Sequence, residues 1–221
     1  MKKLFLFLLC TSISLSFSFG QTSKNTKFWM VNLGTFGNSS KSTHSSNSPT
    51  ISQSNRTDSN NSFFVALSMG KFFKDNVAHG FRINYSNVSS HVTNNSVNNN
   101  YKEFNGNQDN VELGYFITRF IPVNSQFYFY GNLNPNVYYS YHTSKYDNLE
   151  AEKQRGYNIS IKADVGMRYI FKNNFFIDTN TSLGRIGYFW ANIKDVSETS
   201  GLELYSESLF SNFSIGIGKS F

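Results

Sequence analysis

Apolar residues recur at every second position along this chain, and no window keeps a 3.6-residue apolar period over three turns. Trp29, Val31, Leu33 and Thr35 share one parity while Met30, Asn32 and Gly34 take the other. The same alternation sets Phe63, Val65, Leu67 and Met69 against Phe64, Ala66, Ser68 and Gly70. It sets Val77, His79, Phe81, Ile83 and Tyr85 against Ala78, Gly80, Arg82 and Asn84, and Val111, Leu113, Tyr115 and Ile117 against Glu112, Gly114, Phe116 and Thr118. Further along, Phe127, Phe129, Leu133, Val137 and Tyr139 oppose Asn132, Asn134 and Asn136, and Tyr157, Ile159, Ile161, Val165, Met167 and Tyr169 oppose Asn158, Ser160, Lys162, Asp164, Gly166 and Arg168. Ile177, Thr179, Thr181 and Leu183 face away from Asp178, Asn180, Ser182 and Gly184; Phe213, Ile215, Ile217 and Phe221 face away from Asn212, Ser214, Gly216, Gly218 and Ser220. Because successive strand side chains point to opposite faces, the pattern predicts eight strands.

The connections alternate in length. Lys74-Asp75-Asn76, Pro122 to Ser125 and Lys172-Asn173-Asn174 are short and carry turn residues. About Asn38 to Asn61, Asn87 to Asp109, His142 to Arg155 and Ile186 to Ser206 are long, polar and expected to be loops. Short turns thus collect at one end of the sheet and long loops at the other, as in a membrane barrel. A spanning strand takes roughly 9 to 11 residues, so eight fit in the chain. Lipid offers no partner for backbone polar groups, so the sheet must close on itself. The expected fold class is all-β: an eight-stranded antiparallel up-and-down transmembrane β-barrel.

The second parity decides which face meets lipid. A lumen bounded by eight strands is just wide enough for side chains to fill. Gly, Ser, Asn and pairable charges suit it better than stacked Phe and Tyr. Arg82, Lys162 and Arg168 lie on that parity with Glu112, Asp164 and Asp178, a balanced set expected to form a polar network inside. Charges on the apolar parity are expected only near strand ends: Lys71, Arg119 and Lys219 toward the short turns, Arg185 toward the loops. Trp29, Tyr115, Phe127, Tyr169 and Phe221 are candidates for one interfacial aromatic girdle, and Tyr85, Tyr139, Tyr141 and Trp190 for the other.

Composition narrows the classes further. The 221 residues are 39% hydrophobic and 17% aromatic but only 15% charged. Mean hydropathy is nevertheless −0.39, because Ser and Asn are abundant. That excludes charge-solvated disorder and a polytopic helical membrane protein. Met1, Lys2 and Lys3 precede an apolar run from Leu4 to Phe17, with small Ser18 and Gly20 before Gln21. Residues 1–20 are therefore expected to be a cleaved signal peptide, and 21–221 the barrel domain. Cleavage would remove the sole cysteine, Cys10, and with it any disulfide or thiol chemistry. It would also remove Lys2 and Lys3 from the formal charge of +6, leaving little case for a nucleic-acid partner.

The closing stretch Phe213-Ser-Ile215-Gly-Ile217-Gly-Lys219-Ser-Phe221 resembles the C-terminal assembly signal of Gram-negative outer-membrane barrels, apart from Lys219, where an apolar residue is usual. Segments Ser68 to Gly80 and Gly166 to Asn174 resemble the strand, short turn and strand repeat of the small outer-membrane β-barrel domain family, eight-stranded barrels of the OmpX and OmpA kind. The resemblance implies outer-membrane location, lipid and lipopolysaccharide as surroundings, and the barrel-assembly machinery as a partner reading Phe213, Ile215, Ile217 and Phe221. It implies a structural or adhesion-like role, with a surface ligand met through the outer loops.

Two alternatives stay open: a small gated pore through the lumen charges, and a lipid-modifying enzyme. The second rests on His142-Thr143-Ser144 with Glu150 or Glu152 as a nearby carboxylate, since a His beside a Ser can activate a nucleophile. This element resembles the His-x-Ser of the lipid A deacylase family. His44 and His91 also have Ser close by, and the acidic spacing departs from that family, so no catalytic role is expected. The four His lack paired metal-ligand spacing, no phosphate-binding loop occurs, and no cofactor is called for.

Overall fold

The computed structural model describes residues 22–44, 54–94, 103–146, 152–193, 197–206 and 213–221; the expected signal peptide lies outside them. The described residues form nine strands: β1 (Lys27–His44), β2 (Ser54–Lys74), β3 (Val77–Asn94), β4 (Glu103–Pro122), β5 (Phe127–Tyr146), β6 (Glu152–Ile170), β7 (Phe175–Ile193), β8 (Ser197–Ser206) and β9 (Phe213–Ser220). There is no helix among the described residues.

Each strand from β1 to β8 pairs antiparallel with the next, and β9 joins β7 to β1. The far half of β7 pairs with β8, from Gly184↔Ser206 to Ile193↔Ser197. Its near half pairs with β9, from Phe175↔Lys219 to Thr181↔Phe213. Thus β8 and β9 occupy one place in the wall, and the nine strands fill eight places of a closed transmembrane barrel. The ring is sealed at its base by Lys27 N–H donating to the Phe221 carbonyl and Phe221 N–H donating to that of Lys27, both at 2.9 Å. From Leu33, partners run through Val65, Tyr85, Val111, Tyr139 and Tyr157 to Trp190, yet Leu33 reaches β7 the other way, through Ile215, at Thr179. That stagger is what tilted strands require to close.

The expected long loops are largely strand. Residues 38–44, 54–61, 87–94, 103–109, 142–146, 152–155, 186–193 and 197–206 all continue the ladders. Beyond the lipid both faces meet water, so Ser, Asn and Thr erase the apolar alternation while backbone pairing continues. The short turns lie as expected. Asn76 and Asn174 take left-handed backbone (φ 61° and 63°), which Asn tolerates better than other residues bearing a Cβ. Asn124 Oδ1 accepts the Gln126 and Phe127 N–H groups, both at 2.8 Å. Each turn is also tied to the next wall strand, through Phe120 N–H to Asn76 O, Ile170 N–H to Gln126 O and Ser220 N–H to Asn174 O.

The outer face is a continuous apolar belt that includes Leu33, Leu67, Phe81, Leu113, Leu133, Ile159 and Ile217, all exposed. Pro135, also on that belt, has no N–H to give; the β4–β5 ladder skips from Gly114↔Asn136 to Ile117↔Leu133 beside it. On the belt's rims, Tyr139, Tyr157 and Trp190 stack across three strands, with ring centres 5.2 and 5.6 Å apart. At the short-turn end Tyr115 meets His79 Nδ1 at 2.6 Å, and Lys219 Nζ lies 5.0 Å from the Phe175 ring centre. Lys71 and Arg119 are exposed on the same outward face.

Candidate functional site in the barrel lumen

The lumen is layered. Its short-turn half holds a cluster of Phe28, Met30, Phe72, Ala78, Phe116, Phe120, Tyr128, Tyr130, Ile170 and Phe176, all buried. This corrects the expectation that stacked Phe and Tyr would be kept out. Glycines on the inner face make the room: Gly70 and Gly80 sit opposite each other, and a Cβ on either would run into the Phe116 ring. The remaining space here is about 30 Å³, enough for a water or two.

Arg168 is set into this cluster. Its guanidinium carbon lies 3.8, 4.7 and 5.1 Å from the ring centres of Phe176, Phe120 and Phe28. Nε and Nη2 donate to the two carboxylate oxygens of Asp178 at 2.6 and 2.8 Å. Both residues are almost fully buried, so the pair survives by bidentate geometry and by the ring faces that replace water.

Above this layer the lumen turns polar. Lys162 Nζ lies 3.8 Å from Asp164, whose other oxygen accepts from Asn132 at 3.1 Å; Asn132 in turn accepts from Thr118 at 2.8 Å. Glu112 accepts from two amides, Asn84 at 3.4 Å and Asn134 at 3.5 Å. Arg82 faces the cavities above and below, with no ion pair to another of the described residues. The six charges read from the sequence therefore share the lumen, but as two pairs with Arg82 and Glu112 left apart.

Two lumen charges were not foreseen. Arg185, expected at the outer rim on the lipid parity, forms an ion pair with Glu203 of β8. The cause is a bulge: Ala163 pairs with Gly184 and Asp164 with Ser182, leaving Leu183 as an extra residue. One extra residue swaps the faces of everything beyond it. Arg185 is thereby brought opposite Lys162, while Ile186 and Tyr188 turn outward. Glu203 also accepts from Asn158 at 3.1 Å. No apolar alternation marks the bulge, although the adjoining Gly184 is a signal for one.

His142 and Ser144 both lie on the inner parity of β5, beyond the rim tyrosines. Glu152 pairs across from Ser144, but no hydrogen bond links the three among the described residues, and Glu150 lies outside them. Burial holds His142 below the ordinary histidine range. The described residues contain no group of three or more potential metal ligands. Phe213, Ile215, Ile217 and Phe221, which resemble an assembly signal in the sequence, are exposed on the outer face of the closing strand.

No protein-family model and no curated protein matches the chain. Solved structures with a similar course include the translocator domain of the autotransporter NalP from Neisseria meningitidis, at 9% identity and TM-score 0.38, covering 100% of this chain and 94% of that one. The transport unit of the autotransporter AIDA-I from Escherichia coli aligns at 11% identity and TM-score 0.36 over 98% and 96%. A major outer membrane protein from Thermus thermophilus aligns at 10% identity and TM-score 0.39 over 89% and 99%.

Proposed function

We propose that this chain is an integral outer-membrane protein of a Gram-negative cell, with a structural or surface-interaction role and no catalytic one. The observation that carries the reading is the closed lumen: the aromatic layer and the Arg168–Asp178 pair fill the short-turn half, leaving about 30 Å³. A passage for solutes needs a continuous aqueous path, and a cavity of about 30 Å³ at that level argues against one. What the chain offers its surroundings is its two outer surfaces. The apolar belt suits lipid, and the strand extensions beyond the rim aromatics present Ser, Asn and Thr on the far side for a surface ligand. The eight-place ring and short turns agree with the small-barrel resemblance, and Phe213, Ile215, Ile217 and Phe221 stand where assembly machinery can read an exposed strand face.

Heat-dependent gel mobility of the membrane fraction tests the barrel, and planar-bilayer recording tests the closed lumen. We expect a compact unheated species in the outer-membrane fraction and no conductance steps. A protein recovered soluble from the periplasm would refute the location, and steady single-channel currents would restore the pore reading.

A further inference from the structure

Two lysines stand side by side on the outer face at the short-turn end. Lys27 of β1 pairs across the ladder with Lys71 of β2. The Lys27 N–H and carbonyl are both bonded to Phe221 on the other side, so its pairing with Lys71 is the non-hydrogen-bonded kind, in which side chains stand closest. Their Cβ atoms are then about 4.5–5.5 Å apart, a separation at which like charges repel. Both residues are exposed, and neither forms an ion pair with another described residue. Lys219 of β9 lies diagonally across from Lys27, since its own partner is Trp29, two residues on. Its Nζ rests 5.0 Å from the Phe175 ring centre, and it too has no ion pair among the described residues.

This repulsion sits on the closing seam, where β9, β1 and β2 meet, and the surroundings add cations to it. Lys24 and Lys74 are exposed close by, in the lead-in to β1 and at the end of β2. Asp75, in the turn after β2, accepts from the Lys24 backbone N–H at 2.9 Å and makes no ion pair with any of these lysines. Toward the apolar belt the next outward pair is Trp29↔Met69, followed by Val31 between Leu67 and Ile217. Met69, Leu67 and Ile217 are exposed there. Lys27 and Lys71 therefore stand one outward pair beyond the belt, beside a Trp, where long basic side chains reach the level of lipid headgroups.

We propose that this seam binds a phospholipid whose headgroup carries a net negative charge, of the phosphatidylglycerol type. Its phosphate lies between the Lys27 and Lys71 ammonium groups, with Lys219 to one side, and its acyl chains run over Trp29, Met69, Leu67 and Ile217. An anion is favoured because the lysines hold positive charge that no described carboxylate pairs with. The ammonium of a phosphoethanolamine head would enter the same repulsive field. The lipid reaches across β9, β1 and β2, so two side chains that push those strands apart are drawn onto one phosphate, and binding supports closure of the ring. The proposal rests on the membrane-barrel reading.

The test is native mass spectrometry of the chain extracted from the membrane fraction in mild detergent, titrated with phosphatidylglycerol or phosphatidylethanolamine, with heat-dependent mobility measured on the same sample. We expect phosphatidylglycerol to be retained at least tenfold more strongly, and at least fivefold less in Lys27→Gln and Lys71→Gln with mobility unchanged. Arg119→Gln, which removes the same charge from the outer face two strands from Lys71, should change retention less than twofold. Urea midpoints give a second reading. Lys71→Gln should raise the midpoint in vesicles of phosphatidylcholine alone, where only the repulsion is lost, and lower it in vesicles that also contain phosphatidylglycerol. Equal retention of both lipids, equal loss in Arg119→Gln and Lys71→Gln, or midpoint shifts of one sign in both vesicles overturns the site. So does a second copy of the chain held at the seam in the lipid's place. Loss of heat-dependent mobility in the wild type overturns the barrel reading and the site with it. If the Gln variants do not fold, a photoactivatable phosphatidylglycerol on the wild type decides: labelling concentrated at Trp29, Met69 and Ile217 supports the site, and uniform labelling of the belt overturns it.

Discussion

Arg168 and Asp178 face each other across the β6–β7 ladder and exchange two hydrogen bonds, while the Arg168 guanidinium lies 3.8 Å from the Phe176 ring centre. A cavity of about 30 Å³ adjoins the pair. Removing one partner of such a pair strands the other charge, a loss of about 3–5 kcal/mol. Asp178→Asn and Arg168→Leu should each lower the midpoint of urea unfolding, followed by gel mobility or by Trp29 and Trp190 fluorescence. The double variant Arg168→Leu/Asp178→Leu should lose less than the sum of the singles, because neither charge is then left alone.

The same pair closes the lumen together with its rings. Arg168→Ala combined with Phe120→Ala removes the guanidinium and the ring 4.7 Å from it. Planar-bilayer recordings should change from silent to stepwise conductance in this variant, with the wild type and Arg119→Ala, on the outer face, remaining silent.

Deleting Leu183 and Gly184 together brings Arg185 opposite Ala163 on the lipid face, with Ile186 turned inward. An Arg at mid-belt costs about 2–4 kcal/mol, less near the rim. The deletion should therefore impair assembly, read as loss of the heat-dependent band, more than Arg185→Gln does at the unshifted position. A deletion as benign as Arg185→Gln would refute the account of the swapped faces.

Asn76 and Asn174 hold left-handed backbone in the two tightest turns. Replacing either by Ala should cost about 1 kcal/mol, since a Cβ disfavours that conformation by about 1–2 kcal/mol and Asn offsets part of it. Gly at the same positions should be neutral or slightly stabilising in the same urea titration. Asn76 carries an extra load, because its Oδ1 accepts from Thr22 at 2.7 Å and ties down the segment leading into β1.

Burial lowers the His142 value in the folded barrel below the ordinary histidine value of roughly 6.5. As pH falls through that ordinary value the unfolded chain takes up the proton first, so this residue withdraws stability toward acid and contributes nothing above neutrality. Unfolding midpoints of the wild type and His142→Gln should converge above pH 7 and separate below it, with the variant the less acid-sensitive. An imidazole NMR titration at or above the ordinary value would contradict this.

The alternation at Leu113, Leu133, Ile159 and Ile217 made the barrel legible, because lipid imposes one polarity on one face. Phe28, Phe72, Phe116 and Phe176 hid the inner layer, since an aromatic on each parity, as in Phe72-Phe73 and Phe175-Phe176, blurs the period that separates inside from outside. The extensions of β1 and β2 look like loops in the sequence for the opposite reason: Ser and Asn on both faces leave no period at all. Lys162, Asp164, Arg168 and Asp178 could be placed in the lumen from parity alone. Arg185 could not, because one bulged Leu183 upstream decides its face, and Glu203 lies on a strand that carries no apolar run of its own except Leu202 and Leu204.

The reciprocal bonds between Lys27 and Phe221 join the first and last strands of the ring. Hairpins along the wall form between neighbours in sequence, whereas this seam must wait for nearly the whole chain, which makes it the most entropically expensive step of folding. Until it forms, β1 and β9 present bare edges able to template pairing with another chain. The vulnerable interval in the life of this barrel is therefore the time between threading its last strand and sealing it.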